Sequence, residues 1–137
     1  MRDARHKGQK ETGPTVLELL LRLEGDFRKS LEPIRVTPSQ AGVNLLLRRH
    51  ADARVTDAAA VLGVSLATLS RTVKTLVRKR WVTTRRSVKQ ACVVSLSLRR
   101  RGNALARHIV QRVRHVNTTL AEQNRGVLGM NPKGSRA

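Results

Sequence analysis

The sequence predicts a mainly α (α+β) chain of five helices, with one β-hairpin between the fourth helix and the fifth. Three features predict it. Apolar residues recur at steps of three and four near both ends, the period of an amphipathic helix. Two short helical segments in the middle are parted by little more than a glycine. Only one stretch, 91–98, alternates at period two, with Cys92, Val94, Leu96 and Leu98 against Ala91, Val93, Ser95 and Ser97. At 137 residues there is room for about one domain, and 39% hydrophobic residues can furnish its core.

Residues 1–12 are polar and basic without a period and are expected to form a flexible arm ahead of a single domain spanning 13–123. The first helix is expected over about 14–30, with Pro14 at its first position. Val16, Leu20, Leu23, Phe27 and Leu31 mark one face of it. The second helix opens at T-P-S-Q: Thr37 caps, Pro38 follows, and Gln40 completes a capping box, with Val36 as the staple residue before it. Leu45, Leu46 and Leu47 carry it to about His50. Residues 51–55 read as a loop or a very short strand. Thr56 is expected to cap a third helix that stops at Gly63, a residue able to take the left-handed conformation. Ser65 caps a fourth helix, S-L-A-T-L-S-R-T-V-K-T-L-V-R-K-R, with Leu69, Val73 and Leu76 as its buried stripe and Thr72 on the edge. W-V-T-T-R-R and A-C-V-V-S-L-S-L then read as two strands, with R-R-S-V-K-Q as the tip between them. Gly102 precedes a last helix expected over about 103–123, in which Ala106, Ile109, Val113, Val116 and Leu120 form a coiled-coil-like seam. The two terminal helices carry more apolar surface than a small core needs. They are expected to pair two copies through Leu20, Phe27, Ile109, Val113, Val116 and Leu120. Residues 124–137, rich in Gly, are expected to be a flexible tail.

The charge is uneven as well as extreme. Lys and Arg number 28 against 9 Asp and Glu, a net +19. The 64 residues from Ala58 to Ala121 hold no carboxylate but 14 Lys or Arg. Soluble surfaces mix both signs, so such a field points to a polyanion partner whose counterions it displaces. An anionic membrane surface would call for bulky aromatic anchors, and the chain has one Trp, one Phe and no Tyr. Enzymatic chemistry is not expected: His108 and His115 stand in the basic half without a nucleophile or a carboxylate and read as structural or surface histidines. A single Cys and four scattered His supply no metal-ligand cluster, so no cofactor is expected. No apolar run approaches the ~20 residues that span a bilayer, and M-R-D-A-R-H-K-G-Q-K lacks the apolar core of a signal peptide. A cytoplasmic, reducing compartment is the expectation.

Two short helices joined at a Gly-containing turn form a helix-turn-helix, and the hairpin behind them makes it a winged helix. Such a module places its second helix, led by its N-terminal residues, in a DNA major groove. At this point the chain resembles the multiple antibiotic resistance regulator (MarR) family over about residues 15–122. V-T-P-S-Q at 36–40 is similar to the family's L-T-P-x-Q, and V-T-D-A-A-A-V-L-G-V-S at 55–65 to its V-S-E-L-A-E-R-L-G-L-S. S-L-A-T-L-S-R-T-V-K-T-L-V-R-K-R-W-V at 65–82 resembles its S-x-S-T-V-T-R-L-V-D-R-L-E-x-x-G-L-V, and L-R-R-R-G at 98–102 its L-T-x-x-G.

The resemblance implies a homodimeric regulator of transcription, a repressor that occupies a palindromic operator in double-stranded DNA. Ala67, Thr68 and Arg71 match positions facing base edges. Ala67 suits a thymine methyl, and Arg71 either a guanine edge or a phosphate. Ser65, Ser70, Lys74, Arg78 and Lys79 are candidates for backbone contacts or caps. Leu66 reads as structural or as a methyl contact, and Arg99, Arg100 and Arg101 as a solvated run or a backbone clamp. Two departures stand out. Arg80 occupies a position where the family has Gly, and Ala91 stands where it has the wing Arg of the minor groove. Arg85, Arg86 and Lys89 are the substitutes. Cys92 reads as a small hydrophobe, not a redox sensor. Many members take phenolic ligands. Here Phe27, aliphatics and Arg suit a small anionic effector, with ligand-free control as the alternative. The rival reading for the whole chain is an architectural or RNA-associated basic protein with little base readout.

Overall fold

A computed structural model describes residues 15–90 and 93–128. The expected arm at 1–12, Pro14, Ala91, Cys92, the Leu120 side chain and the end of the tail lie outside the described residues. In chain order the elements are α1 (Val16–Leu31), one turn of 3₁₀ helix (Glu32–Ile34), α2 (Pro38–Arg49), β1 (Ala53–Arg54), α3 (Val55–Leu62), α4 (Leu66–Arg78), β2 (Val82–Arg86), β3 (Val94–Leu98) and α5 (Arg100–Leu128). The three strands form one antiparallel sheet in the order β1-β3-β2.

Local side-chain chemistry starts most of the helices. Thr15 caps α1: its hydroxyl accepts from the Glu18 N–H. α2 begins with the expected capping box, Thr37 with Gln40. Val36 and Ala41 meet in one buried cluster beneath it, as a hydrophobic staple requires. α3 departs from expectation. Thr56 lies inside the helix, and Arg54 holds the cap position with no side-chain bond. The cause is tertiary: Arg54 is kept extended by its pairing with Ser95 of β3, so the helix begins at the next residue. Gly63 ends α3 at φ +68°, and Ser65 caps α4 through the Thr68 N–H.

The core has two parts. Val43, Leu46, Leu47, Leu69, Val73, Leu76, Val82 and Leu96 pack α2, α3, α4 and the sheet together. Leu31, Val36, Ala41 and Ile109 join α1 and α2 to α5. Trp81, between α4 and β2, packs against both. This arrangement corrects the expected dimer seam. Ile109 (0% exposed) and Val116 (8%) are already buried within one chain, with Val113 packed beside Ile109. The expected α1 face also divides. Leu19 and Leu31 are buried and Leu23 and Phe27 half-buried, while Val16 and Leu20 stay exposed. Helix α1 is apolar on two sides, and the stripe in steps of four from Leu19 turns inward.

The last helix starts three residues early, at Arg100, so Gly102 lies in its first turn and not ahead of it. A Cβ on Gly102 would sit 2.2 Å from the Trp81 carbonyl oxygen, so no other residue fits against that backbone. The same carbonyl accepts from the Arg99 N–H at 2.9 Å. From α2, the buried Asn44 amide donates to the Gly102 carbonyl at 3.1 Å. Gly102→Ala is expected to destabilise the protein by about 1–3 kcal/mol, the usual cost of overpacking. Urea unfolding followed through Trp81, the single tryptophan, measures it. An unchanged midpoint would refute the close approach.

Candidate nucleic-acid interface

Burial of Leu69, Val73 and Leu76 fixes the rotation of α4 about its axis. The opposite side then carries Ala67, Arg71, Lys74 and Arg78, exposed and spaced by four, three and four residues. The cap at its N-terminus is a small network. The Ser65 hydroxyl accepts from the Thr68 N–H at 3.0 Å and donates to the Thr68 hydroxyl oxygen at 2.9 Å. An Arg71 guanidinium nitrogen lies 3.5 Å from that same oxygen. Thr68 is thus half-buried and braces the start of the helix, alongside Pro38, Gly42 and Leu62. Farther along, the Thr72 and Thr75 hydroxyls donate back to the Thr68 and Arg71 carbonyls, and Arg78 donates to the Thr75 hydroxyl.

Lys79 departs from its expected place on that outer face. It is half-buried, its ammonium donates to the Arg35 carbonyl at 3.4 Å, and it lies 4.6 Å from the centre of the Trp81 ring. Its charge fastens the end of α4 to the turn before α2. Arg80 follows at φ +64°. The Arg80 N–H bonds to the Val77 carbonyl and the Trp81 N–H to that of Leu76, each at 3.0 Å, which is a Schellman ending. A residue with a Cβ bears this conformation at a cost of roughly 1–2 kcal/mol.

The wing differs in one respect from the sequence reading. Arg85 and Arg86 belong to the ladder of β2, opposite Ser95 and Val94, and not to the tip. In the loop between the strands, the Ser87 hydroxyl accepts from the Lys89 and Gln90 N–H groups. The alternation of a strand sends successive side chains to opposite faces. Val82, Thr84 and Arg86 share one face of β2, and Thr83 and Arg85 the other. Between α4 and the wing runs a cleft of about 570 Å³. Ser70, Lys74, Thr84 and Arg86 line it, and so does Arg54 from β1. The sequence reading missed Arg54, because its place beside α4 depends on the pairing of β1 with β3.

No carboxylate among the described residues lines this cleft. Among the described residues the ion pair is Glu24 with Arg28, on α1. Those residues bring together no group of three or more metal-ligating side chains, and no single helix among them is long and apolar enough to cross a membrane.

A helix-turn-helix packed against a three-stranded hairpin sheet defines the winged-helix class. Within it, the model of the MarR family matches residues 36–91, from the cap of α2 into the wing. That match lies over the winged-helix part of the chain, and the fold of the remaining helices is similar to that of solved MarR structures. The crystal structure of apo wild-type MarR from E. coli is 23% identical, with 82% of this chain and 86% of that one covered at a TM-score of 0.73. A mutant E. coli MarR complexed with operator DNA is 21% identical, covering 86% and 81%, also at 0.73. BpsR from Bordetella bronchiseptica, described with regulation of its DNA binding by 6-hydroxynicotinic acid, is 17% identical, covering 86% and 85% at 0.74. No curated protein matches the chain in sequence.

Arg80→Gly is expected to relieve the left-handed strain and raise stability by up to about 1 kcal/mol. A thermal melt that moves downward would show that the Arg80 side chain makes a stabilising contact.

Proposed function

We propose that this protein is a sequence-specific, double-stranded-DNA-binding regulator of transcription, a repressor that occupies a palindromic operator as a homodimer and performs no chemistry on it. The observation that carries the reading is the outer face of α4: Ala67, Arg71, Lys74 and Arg78 project from a helix whose inner stripe is locked in the core. The helix N-terminus, Ser65, Ala67 and Arg71, enters the major groove, where Arg71 contacts a base edge. Ser70, Lys74 and Arg78 meet the backbone, and the wing, with Arg85, Arg86 and Lys89, reaches the backbone and the minor groove beside it. Two fold relatives support it: the E. coli MarR mutant was solved with operator DNA, and CouR, called a transcriptional repressor, with a 23-mer duplex.

The homodimer rests on α1. Val16, Leu17, Leu20 and Leu21 are between 54% and 63% exposed and contiguous, a patch larger than scattered surface leucines make. Beside them stand Glu18, Glu24 and Asp26, while α5 carries Arg107, Arg112 and Arg114. Arg22, Arg28 and Lys29 balance those acids, so α1 has no net charge, and its apolar patch is the surface that can pair with itself across a two-fold axis. Leu17→Glu with Leu21→Glu is expected to yield a folded monomer with weakened operator binding, read by sedimentation and duplex titration. A dimer that survives both charges would place the interface elsewhere. A small anionic effector is part of the reading, since BpsR is described as regulated in its DNA binding by 6-hydroxynicotinic acid. The cytoplasm is the proposed compartment.

The net charge of +19 favours a second reading, an architectural or RNA-associated protein with little base readout. Selection from a random duplex pool separates the two. A palindromic consensus is expected, and a flat profile would favour the second reading. Within the consensus, Arg71→Ala is expected to relax one base position per half-site at a cost of about 1–3 kcal/mol. A uniform loss over all sequences would reduce Arg71 to a phosphate contact.

A further inference from the structure

Resting on the DNA-binding reading above, we infer that the cleft between α4 and the wing seats the sugar–phosphate backbone of one DNA strand, and that Arg54 of β1 is a phosphate ligand in it beside Lys74 and Arg86. A duplex has one backbone strand between its major groove and the adjacent minor groove. A protein that puts α4 in the first and a wing in the second straddles that strand, and the space left for it is this cleft.

The lining has the matching chemistry. Arg54, Lys74 and Arg86 come from β1, α4 and β2, three elements brought together only by the fold. The Thr56, Ser70 and Thr84 hydroxyls stand among them, and among the described residues no Asp or Glu lines the cleft. Arg54 and Lys74 both line it, and a row of phosphates is the polyanion such a basic field attracts. Between the cations the floor is apolar, with Val55, Leu66, Val73 and Val94, a surface on which the carbon face of a deoxyribose can lie. The strand alternation divides the two wing arginines: Arg86 turns into the cleft, while Arg85, on the other face of β2, is absent from its lining and is left for the minor groove.

Arg54 suits a test because its side chain is exposed and its fixed part is backbone, paired with Ser95. Arg54→Ala and Arg54→Lys are titrated with a duplex carrying the selected consensus and with a scrambled duplex, over a range of salt. Arg54→Ala removes one phosphate contact from each protomer, so for the proposed homodimer it is expected to flatten the log–log salt slope by about 1.8. The affinity lost between about 50 and about 200 mM salt then shrinks about twelvefold against wild type. Both duplexes weaken by the same factor, because phosphate contacts carry no sequence. Arg54→Lys is expected to restore the slope. An unchanged slope for Arg54→Ala overturns the inference, as does a loss confined to the consensus duplex. Urea unfolding of each variant checks that the fold is retained. If wild type shows a consensus while Arg54→Ala keeps its slope, the clamp fails and the proposed regulator stands. If wild type binds both duplexes equally, base readout fails, and the slope still decides the clamp.

Discussion

The carbonyl of Trp81 is the point through which the parts of this protein are joined. It accepts from the Arg99 N–H and lies so near Gly102 that a Cβ there would overlap it. That contact holds the start of α5 against the residue that ends α4 and begins the wing. The Trp81 ring adds to it by packing on both halves of the core, the one under α4 and the one under α1. Lys79 lies over the ring and reaches the Arg35 carbonyl, and Asn44 reaches Gly102 from α2. The recognition helix therefore leaves its last turn into a site fixed from three sides. A rotation of α5 cannot be absorbed in a loose linker, because no linker separates it from the wing. In the proposed homodimer, paired through the exposed face of α1, the angle between two copies sets the angle between their two α4 helices.

Charge is distributed on the same plan. Except for Glu122, every acid of the described residues lies on α1, the turn after it, or the stretch from Asp52 to Asp57. The polar groups that stabilise the basic half are uncharged hydroxyls. Thr68, Thr72 and Thr75 bond within α4, and Ser95 bonds to the Arg85 carbonyl. One acid does reach the sheet: Asp52, at φ +58°, accepts from the Ser97 hydroxyl. Hydroxyls meet cations of α4 as well: Arg71 and Arg78 reach the Thr68 and Thr75 hydroxyls. Lys79 reaches a backbone carbonyl, and its charge anchors the helix it ends.

Features set by neighbours in sequence were legible from it. The Thr37–Gln40 box, the Gly63 stop, the Ser65 cap and the stripe of Leu69, Val73 and Leu76 each depend on residues within a turn or two. The outward placement of Ala67 and Arg71 follows from that stripe, since fixing the inner face fixes the outer one, whereas Thr68, the third base-edge candidate, is half-buried in the Ser65 cap. What was missed depends on distant partners. Arg54 replaced Thr56 at the start of α3 because β3 holds it extended, and the same pairing brings it beside α4. Gly102 lies inside α5 because of the Trp81 backbone, not because of its own neighbours. Periodicity showed that Ile109 and Val116 face something apolar. It carried no information on whether that surface belonged to the same chain, and it does.

The hairpin shows how an apolar core decides where charge goes. Val82 and Leu96 are 1% and 0% exposed, and their burial pins β2 against β3 so that Val82 faces Leu98 and Arg86 faces Val94. A slip of one residue would bring Val82 out of the core and exchange Arg85 with Arg86 between the two faces of the strand. The cost of exposing a buried valine, roughly 1.5 kcal/mol or more, therefore guards against placing the wrong arginine in the cleft. The Schellman turn at Arg80 serves the same register from the other side, since it delivers Trp81 and Val82 at a fixed distance from the last turn of α4. The strain at Arg80 is in this sense part of the cost of aligning α4 with the wing.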